Sequence, residues 1–363
     1  MYYISSRNGD LYGITDTKDG VEEFYSSDFI FTNLSHIPIR GVNKNSITVW
    51  SLNKEILKHK LSSANVDFRF DLSLNGVVAL IYVGKDKNIV ITELVDELGE
   101  GCFSCLSGIE SVEMSNSVVS IGERCFYRCN SLYKVVISNS VKCISADCFR
   151  YCYSLEDVII PNSVKILDNY CFWDCKHLKN LELPDSLVKL GDSCFYNCDS
   201  LENIVIPDSV LSIGDTCFFG CTSLESVVIG DSVKKLPARC FSDCVSLESV
   251  KLSNSIIKLC NNCFSCCTNL KYIEIPDSVV NIDSDCFSYC NSLENIVISN
   301  SVLSIGDDCF RGCTSLKSIE IPDSVINIGD NCFEGCTNLV EIVCNKTQAS
   351  MLKKYKGILN IKD

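Results

Sequence analysis

Histidine, tryptophan, methionine and proline are scarce in this 363-residue sequence, which contains 3, 2, 3 and 7 of them. None of the histidines, His36, His59 and His177, accompanies a nucleophile motif. The sequence also lacks Gly-x-Ser-x-Gly, a phosphate-binding loop and His-Glu-x-x-His. Carboxylates are plentiful, but no pair can be told apart from solvated surface residues. The sequence therefore predicts no catalytic residues and no enzymatic activity.

Long apolar runs and an excess of positive charge are missing as well. No run of about 18 apolar residues is present, so membrane insertion is not expected. The first ten residues lack a basic segment followed by an apolar one, which predicts a cytoplasmic protein rather than a secreted one. Residues 1–87 hold equal numbers of acidic and basic side chains, so the net charge of −14 is carried by the rest. Because an acidic surface repels phosphate backbones, nucleic acid is not an expected partner.

A 23-residue repeat accounts for most of the sequence. Cys-Phe pairs recur without insertion or deletion, beginning at residues 102, 125, 148, 171, 194, 217, 240, 263, 286, 309 and 332. A fixed period of this size indicates a solenoid of stacked units, here about eleven repeats over residues 88–345. Residues 1–87 do not carry the repeat and are interpreted as a small α+β domain that caps the array.

Each repeat predicts one strand followed by a compact turn. Val135 and Ile137 alternate with exposed positions, and about twelve such strands would stack in parallel roughly 4.8 Å apart. The Cys-x-x-x-Cys spacing predicts a short helical turn with both thiols facing inward. A serine recurs at one corner, as at Ser140, and is predicted to bond backbone groups. Asp residues before Cys-Phe, such as Asp192, are predicted to cap the helical turns.

The flanking regions show weaker patterns. In the first region, alternation predicts strands, Lys54–Leu61 predicts a short helix, and Val77–Val83 is a continuous apolar run. The predicted strands are Tyr2–Ser5, Asp10–Thr15, Ser46–Leu52 and Val66–Leu72. At the other end, apolar side chains at helical spacing predict a capping helix over Asn345–Gly357 within the tail at residues 346–363.

The repeat unit at residues 201–221 resembles the BspA-type leucine-rich repeat. It follows the consensus Leu-x-x-Ile-x-Ile-Pro-x-Ser-Val-x-x-Ile-Gly-x-x-Ala-Phe-x-x-Cys, except that Cys replaces Ala in every copy. The resemblance implies an α/β solenoid: a leucine-rich-repeat-like parallel β array with short helical turns. It also implies a protein-binding role. Since members of the family are often cell-surface binding proteins, it offers an exported adhesin as the alternative to a cytoplasmic binding module.

Cysteine is abundant, with 26 residues, and 21 of them occupy two fixed positions of the repeat. These thiols are interpreted as reduced, buried packing residues. A uniform Cys-x-x-x-Cys ladder does not single out a zinc tetrahedron, and parallel Cβ vectors disfavour disulfides between coils. No cofactor is therefore expected. The alternative is thiol or metal chemistry at the one local enrichment, Cys260, Cys263, Cys266 and Cys267.

The outward positions of the predicted strands suggest where a protein partner could bind. Between the buried strand residues, five repeats carry Val or Ile, and four carry Glu. Branched apolar residues suit any strand, so a plain solvent-facing sheet is one interpretation. The other is an apolar and acidic strip that binds a protein. The predicted strip consists of Val136, Ile159, Val205, Val228, Lys251, Tyr272 and Val297.

Overall fold

The computed structural model describes residues 87–91, 97–179 and 181–362, together with the backbone of five strands between residues 3 and 82. The chain divides into two compact units, residues 1–164 and residues 165–363. Both are built from the 23-residue coil, whose strands pair in parallel with their counterparts one repeat away. Each coil contains a first strand, a second strand and a turn segment that holds the Cys-Phe pair. The second strand, two residues long, was not predicted from the sequence.

The first unit contains twelve strands. They are β1 (Tyr3–Arg7), β2 (Asp10–Thr15), β3 (Val49–Trp50), β4 (Phe68–Leu72), β5 (Val78–Tyr82), β6 (Asn88–Ile91), β7 (Glu97–Leu98), β8 (Ser111–Met114), β9 (Ser120–Ile121), β10 (Lys134–Val136), β11 (Cys143–Ile144) and β12 (Asp157–Ile159). The first-strand ladder runs β6–β8–β10–β12, and the second-strand ladder runs β7–β9–β11.

The N-terminal strands continue the second-strand ladder of this unit. Strand β3 pairs antiparallel with β7 on one side and with β5 on the other, and β4, β1 and β2 follow. The four predicted strands correspond to β1–β4, and the apolar run contains β5. The β3–β7 pairing places β3 next to the first strand of the second-strand ladder, and the capping role of residues 1–87 stays a prediction. The predicted helix at Lys54–Leu61 lies outside the described residues.

The second unit continues the same coil. Its elements are β13 (Ile166–Leu167), β14 (Lys189–Leu190), β15 (Asn203–Ile206), β16 (Ser212–Ile213), β17 (Ser226–Ile229), β18 (Lys235–Leu236), β19 (Ser249–Lys251), β20 (Lys258–Leu259), β21 (Tyr272–Glu274), β22 (Asn281–Ile282), β23 (Asn295–Val297), β24 (Ser304–Ile305), β25 (Ser318–Glu320), β26 (Asn327–Ile328), β27 (Glu341–Cys344), α1 (Lys346–Met351), a 3₁₀ helix (Lys353–Ile358) and β28 (Leu359–Ile361). Of the twelve predicted first strands, the described chain contains eleven, because residues 181–183 form none. The first-strand ladder is divided into β15–β17–β19, β21–β23 and β25–β27–β28.

The core is a set of ladders of identical side chains, one from each coil. The inward strand residues Val135 and Ile137 are buried, as the alternation predicted. The phenylalanines of the turn segments stack in rows, with Phe103 and Phe126 centroids 4.8 Å apart and Phe310 and Phe333 centroids 5.6 Å apart. Nearly parallel rings at these distances are offset rather than face to face, which is the favoured arrangement.

The turn segment is not helical, so the predicted short helical turns are wrong. The residues before each cysteine adopt left-handed backbone conformations, for example Arg124 (φ 54°) and Arg128 (φ 59°). Every second backbone N–H group donates to a backbone carbonyl of the next coil. The donor and acceptor pairs are Arg124 and Ala146, Phe126 and Cys148, and Arg128 and Arg150. These N–H groups donate to carbonyls of the next coil, so they cannot also donate to the carbonyl four residues earlier, as a helix requires. Both thiols still face inward, because the two left-handed residues return the chain to the same side.

The polar corner residues also bond between coils. The serine prediction is confirmed: Ser163 Oγ donates to the carbonyl of Val141 at 2.6 Å, and equivalent serines repeat the contact. The aspartate prediction needs correction. The Asp192 carboxylate accepts from the backbone N–H of Asp215 in the next coil at 3.0 Å instead of capping its own turn.

The C-terminal cap is shorter and more varied than the predicted helix. Helix α1 begins with a capping box formed by Asn345 and Gln348, and Leu352 beyond it is buried. The last part of the predicted helix, which contains Lys353, Lys354 and Lys356, forms the 3₁₀ helix instead, and β28 then adds a parallel strand beside β27. Helix α1 is the one α-helix in the described chain, and no helix there has the length and hydrophobicity needed to cross a bilayer.

Candidate functional site

The predicted strip residues occupy outward positions of the first-strand ladder. In the first unit, Val136 is half-buried and lies in register with Ile159, which is 49% exposed. In the second unit, Val205 is 61% exposed and pairs with Val228, which in turn pairs with Lys251. The outward orientation is therefore as predicted. Whether these residues bind a partner stays a prediction.

A groove interrupts the ladder of the second unit between β19 and β21. The first-strand ladder ends at β19 and begins again at β21, with no pairing between them in the described chain. Three predicted strip residues, Lys251, Tyr272 and Val297, line this groove, which has a volume of about 540 Å³. The structure thus brings three of the seven predicted residues into one concave site.

The floor of the groove is apolar and belongs to the core side of β19. Val250 and Leu252 occupy the inward positions of this strand and line the groove. Both are half-buried, whereas the equivalent residues of β17, Val227 and Ile229, are buried. Because β19 has no partner at this edge, its core side chains are open to an incoming ligand. Accessible apolar side chains of this kind are a source of binding free energy.

Charged groups also line this groove. Lys251 belongs to β19, Glu274 belongs to β21, and Asp277 follows β21. The Tyr272 hydroxyl donates to the Glu274 carboxylate at 3.4 Å. Partial desolvation and then the nearby Glu274 charge raise the pKa of Tyr272, so the phenol stays a neutral donor at physiological pH. The groove therefore combines an apolar floor, an aromatic wall and an excess of negative charge.

Sequence reasoning missed the residues that make this groove a site. Val250 and Leu252 match the repeat pattern and carry no sign that they are exposed. The signal in the sequence that could have indicated the groove was Tyr272, a bulky ring where most repeats have a small polar residue. The preceding repeat carries Lys251 where the others have Val, Ile or Glu. Two departures from the pattern in adjacent coils coincide with one of the two interruptions of the first-strand ladder in the second unit, the one between β19 and β21.

A second apolar row, with three exposed members and one half-buried member, was also missed. Outward residues next to the second strands stack in four adjacent coils, linked by backbone bonds of 2.8–3.0 Å. They are Ile257, Val280, Leu303 and Ile326. Because the second strand was not predicted, nothing in the repeat pattern indicated that these four residues share one surface. Leu303 is 43% exposed and provides a comparison for Val297 in the same repeat.

The repeated cysteines are buried, apart from the half-buried Cys336, and about half of them make a contact that was not predicted. None of the 26 cysteines, all of which lie in the described part of the chain, forms a disulfide. The second cysteine of a coil donates its S–H to the carbonyl of a phenylalanine in the preceding coil, as Cys221 does to Phe195 at 3.1 Å. The same contact recurs at Cys244 and Cys290. The thiol thus fills space and also satisfies a buried acceptor, which alanine at this position would not do.

The thiols are poor candidates for redox or metal chemistry. Burial raises the pKa of Cys221 to about 12, so the reactive thiolate is absent at neutral pH. In the enriched segment, Cys263 and Cys267 are buried while Cys260 and Cys266 are half-buried. Among the described residues, which include these four, no group of three potential ligands is placed to hold a metal ion. The structure therefore gives no support to the thiol or metal alternative.

A comparison with known protein families identifies the same repeat region. A family model for the BspA type leucine-rich repeat region matches in six copies at residues 84–179, 188–313 and 280–355. These matches cover well over half of the sequence. The chain belongs to the BspA-type leucine-rich repeat family. No curated protein matches this BspA-type chain.

Solved structures of bacterial leucine-rich repeat proteins are similar to this BspA-type chain. A leucine-rich cell surface protein from Faecalibacterium prausnitzii is 27% identical, with a TM-score of 0.52, over 77% of this chain and 87% of that one. A leucine-rich repeat protein from Bacteroides ovatus is 23% identical, with a TM-score of 0.42, over 82% and 98%. The first similarity supports the solenoid fold directly.

Proposed function

We propose that this BspA-type protein is a non-enzymatic interaction module that binds a protein partner on the outward face of its first-strand ladder. The observation that carries the proposal is the groove between β19 and β21, where Val250 and Leu252 are open beneath Tyr272. A repeat array offers a rigid, extended surface, so binding there needs little reorganisation of the protein. Repeat scaffolds of this family support such a role better than catalysis.

The charge of the groove defines the partner further. Glu274 and Asp277 outnumber Lys251, and the chain as a whole carries −14. The matching partner is an extended protein segment that places apolar side chains on Val250 and Leu252 and a basic side chain beside the two carboxylates. Such complementarity raises the association rate and excludes acidic competitors.

We predict that Val297→Glu weakens partner binding by at least about tenfold. A carboxylate pressed into an apolar contact without a hydrogen-bond partner costs more than about 1.4 kcal/mol. The partner is first identified by cross-linking to the wild-type chain in extracts, then purified and titrated by calorimetry. Leu303→Glu, an equivalent change in the second exposed row, is expected to leave the affinity within about twofold.

Two results would count against this proposal. Equal affinity of the wild-type and Val297→Glu chains would remove the groove from the binding site. Failure of the wild-type chain to capture any protein from the extracts of its own or neighbouring cells would remove the binding function itself.

The second candidate is adhesion at the cell surface. It is favoured by the similarity to the Faecalibacterium prausnitzii cell surface protein. The binding surface would be the same, and the compartment would differ from the predicted cytoplasm. Protease treatment of intact source cells, followed by detection of this protein with a specific antibody, separates the two candidates. Loss of the antibody signal indicates a surface protein, and an unchanged signal indicates the cytoplasmic module.

A further inference from the structure

The second apolar row faces solvent over four consecutive coils of the second unit. Its members Ile257, Leu303 and Ile326 are 52%, 43% and 61% exposed. The backbone N–H group of each later member donates to the carbonyl of the member before it at 2.8–3.0 Å, so the side chains stand one coil apart on one surface. With coils about 4.8 Å apart, the row is about 14 Å long. A contiguous exposed apolar row of this kind is a feature of interaction surfaces.

The coil that precedes this row carries two free lysines. Lys234 holds the position of the row in its own repeat, and its carbonyl accepts from the backbone N–H of Ile257 at 2.8 Å, so the two coils are adjacent. Lys235 follows it and lies in register with Lys258 of β20. Lys258 is paired with Asp283 at 2.8 Å. Lys234 and Lys235, by contrast, are exposed and form no ion pair within the described chain.

Two carboxylates lie on the opposite side, at the corner before the second strand. Asp231 comes three residues before Lys234. Asp208 is its counterpart in the preceding coil, and the Asp208 carboxylate accepts from the backbone N–H of Asp231 at 2.9 Å. Both aspartates are exposed, and neither forms an ion pair within the part of the chain that the structure describes. Since the chain crosses this surface from the corner into the second strand, the surface has an acidic edge at Asp208 and Asp231 and a basic edge at Lys234 and Lys235.

A surface with this order of groups is complementary to a copy of itself. A two-fold axis parallel to the stacking direction of these coils places the second apolar rows of two copies against each other, coil by coil. The same rotation exchanges the two sides, so the acidic edge of each copy faces the basic edge of its partner. A two-fold axis across the coils would instead bring like charges together. The charges therefore favour the parallel arrangement and oppose the other.

We propose that the second apolar row and its two charged edges form the contact of a parallel, two-fold symmetric dimer of this chain. Because each chain carries a net charge of −14, two copies attract each other only where local charges balance, as they do on this surface. Four apolar coils and one charged coil make a smaller contact than a permanent interface, so the dimer exchanges with the monomer at micromolar concentrations. The groove belongs to the first-strand ladder, so this proposal does not depend on the function proposed for the groove.

The test is sedimentation equilibrium of the full chain under a reducing agent, at concentrations from about 1 to 200 µM. We expect the wild-type chain to show a monomer–dimer equilibrium. Ile326→Glu should raise the dissociation constant at least about tenfold, because the two-fold axis brings the two new carboxylates together in an apolar contact. Val205→Glu is the matched control and should leave the constant within about twofold, since Val205 is also 61% exposed but lies on the first-strand ladder.

Reversal of the charged edges tests the parallel arrangement. One variant carries Lys234→Asp and Lys235→Asp, and the other carries Asp208→Lys and Asp231→Lys. Each variant alone places like charges across the contact and should remain monomeric over the same concentrations. An equimolar mixture restores opposite charges on both sides and should dimerise. A dimer in the mixture also shows that both variants are folded.

Three results would overturn the proposal. The first is a wild-type chain that stays monomeric up to about 200 µM, which would leave the row to a different protein. The second is an unchanged dissociation constant for Ile326→Glu, or an equal loss of dimer in Val205→Glu. The third is a mixture of the charge-reversal variants that stays monomeric while the wild-type chain dimerises. Urea midpoints measured at the lowest concentration establish that the single variants remain folded.

Discussion

Phe218→Ala is expected to lower the free energy of unfolding by about 3–5 kcal/mol. The ring is fully buried and stacks between Phe195 and Phe241, with centroids 5.1 and 5.3 Å away. Its loss opens a cavity in the middle of a row, and neighbouring coils cannot close it because their backbones are bonded to each other at every alternate residue of the turn. Urea denaturation followed by far-UV circular dichroism measures the change.

The adjacent residue supplies a matched control. Phe219 is half-buried on the outer side of the turn and stacks on Tyr196 at 4.7 Å. Phe219→Ala should therefore cost less, about 1–2 kcal/mol, since that ring is only partly removed from water in the folded chain. Equal destabilisation by the two variants would contradict the inward assignment of the Cys-Phe segment.

Raising the pH from 8 to 10 is expected to unfold the repeat array. Burial raises the pKa of Cys221 from its ordinary value of 9.0 to about 12. Below pH 9 the folded and unfolded states both keep this proton, so stability does not depend on it. Above pH 9 the unfolded chain releases the proton while the folded chain keeps it until about pH 12. Stability therefore falls across this interval, by about 1.4 kcal/mol per thiol between pH 8 and 10.

The effect is large because the thiols are many. Fourteen fully buried thiols have a raised pKa for the same reason. Their effects have the same sign and fall in the same pH interval, so their sum is expected to be comparable with the 5–15 kcal/mol that typically separates folded from unfolded domains.

Circular dichroism under a reducing agent, at half-unit steps between pH 7 and 10.5, measures this transition. Recovery of the signal on return to pH 7 separates thiol ionisation from chemical damage. A urea midpoint that is unchanged between pH 8 and 10 would show that the thiols are not buried as described.

The repeat period was enough to predict the coil and its core, but not the backbone of the turn. Inward residues such as Val135 follow from alternation, which is a property of the strand itself. The Cys-x-x-x-Cys spacing suggested a helix because residues four apart share a helical face. Two left-handed residues produce the same spacing, and arginine at position 124 or 128 gives no sign of that conformation. The second strand, only two residues long, is too short for any periodicity.

The groove depends on relations between coils. A sequence pattern shows which residues face outward, as for Val205 and Val297. It does not show that β19 lacks a partner at one edge, because pairing depends on how neighbouring coils sit against each other. Tyr272 was the visible departure from the pattern.

Site-specific photo-cross-linking tests the groove most directly. Tyr272→p-benzoylphenylalanine places the reactive group in the groove, and the same replacement of Tyr289 provides the control on a turn segment. The two positions are 48% and 46% exposed, so differences in accessibility do not bias the comparison. Our account predicts an adduct with one protein from position 272, suppressed by excess wild-type chain, and none from position 289. No adduct from position 272, or the same adduct from both positions, would contradict it.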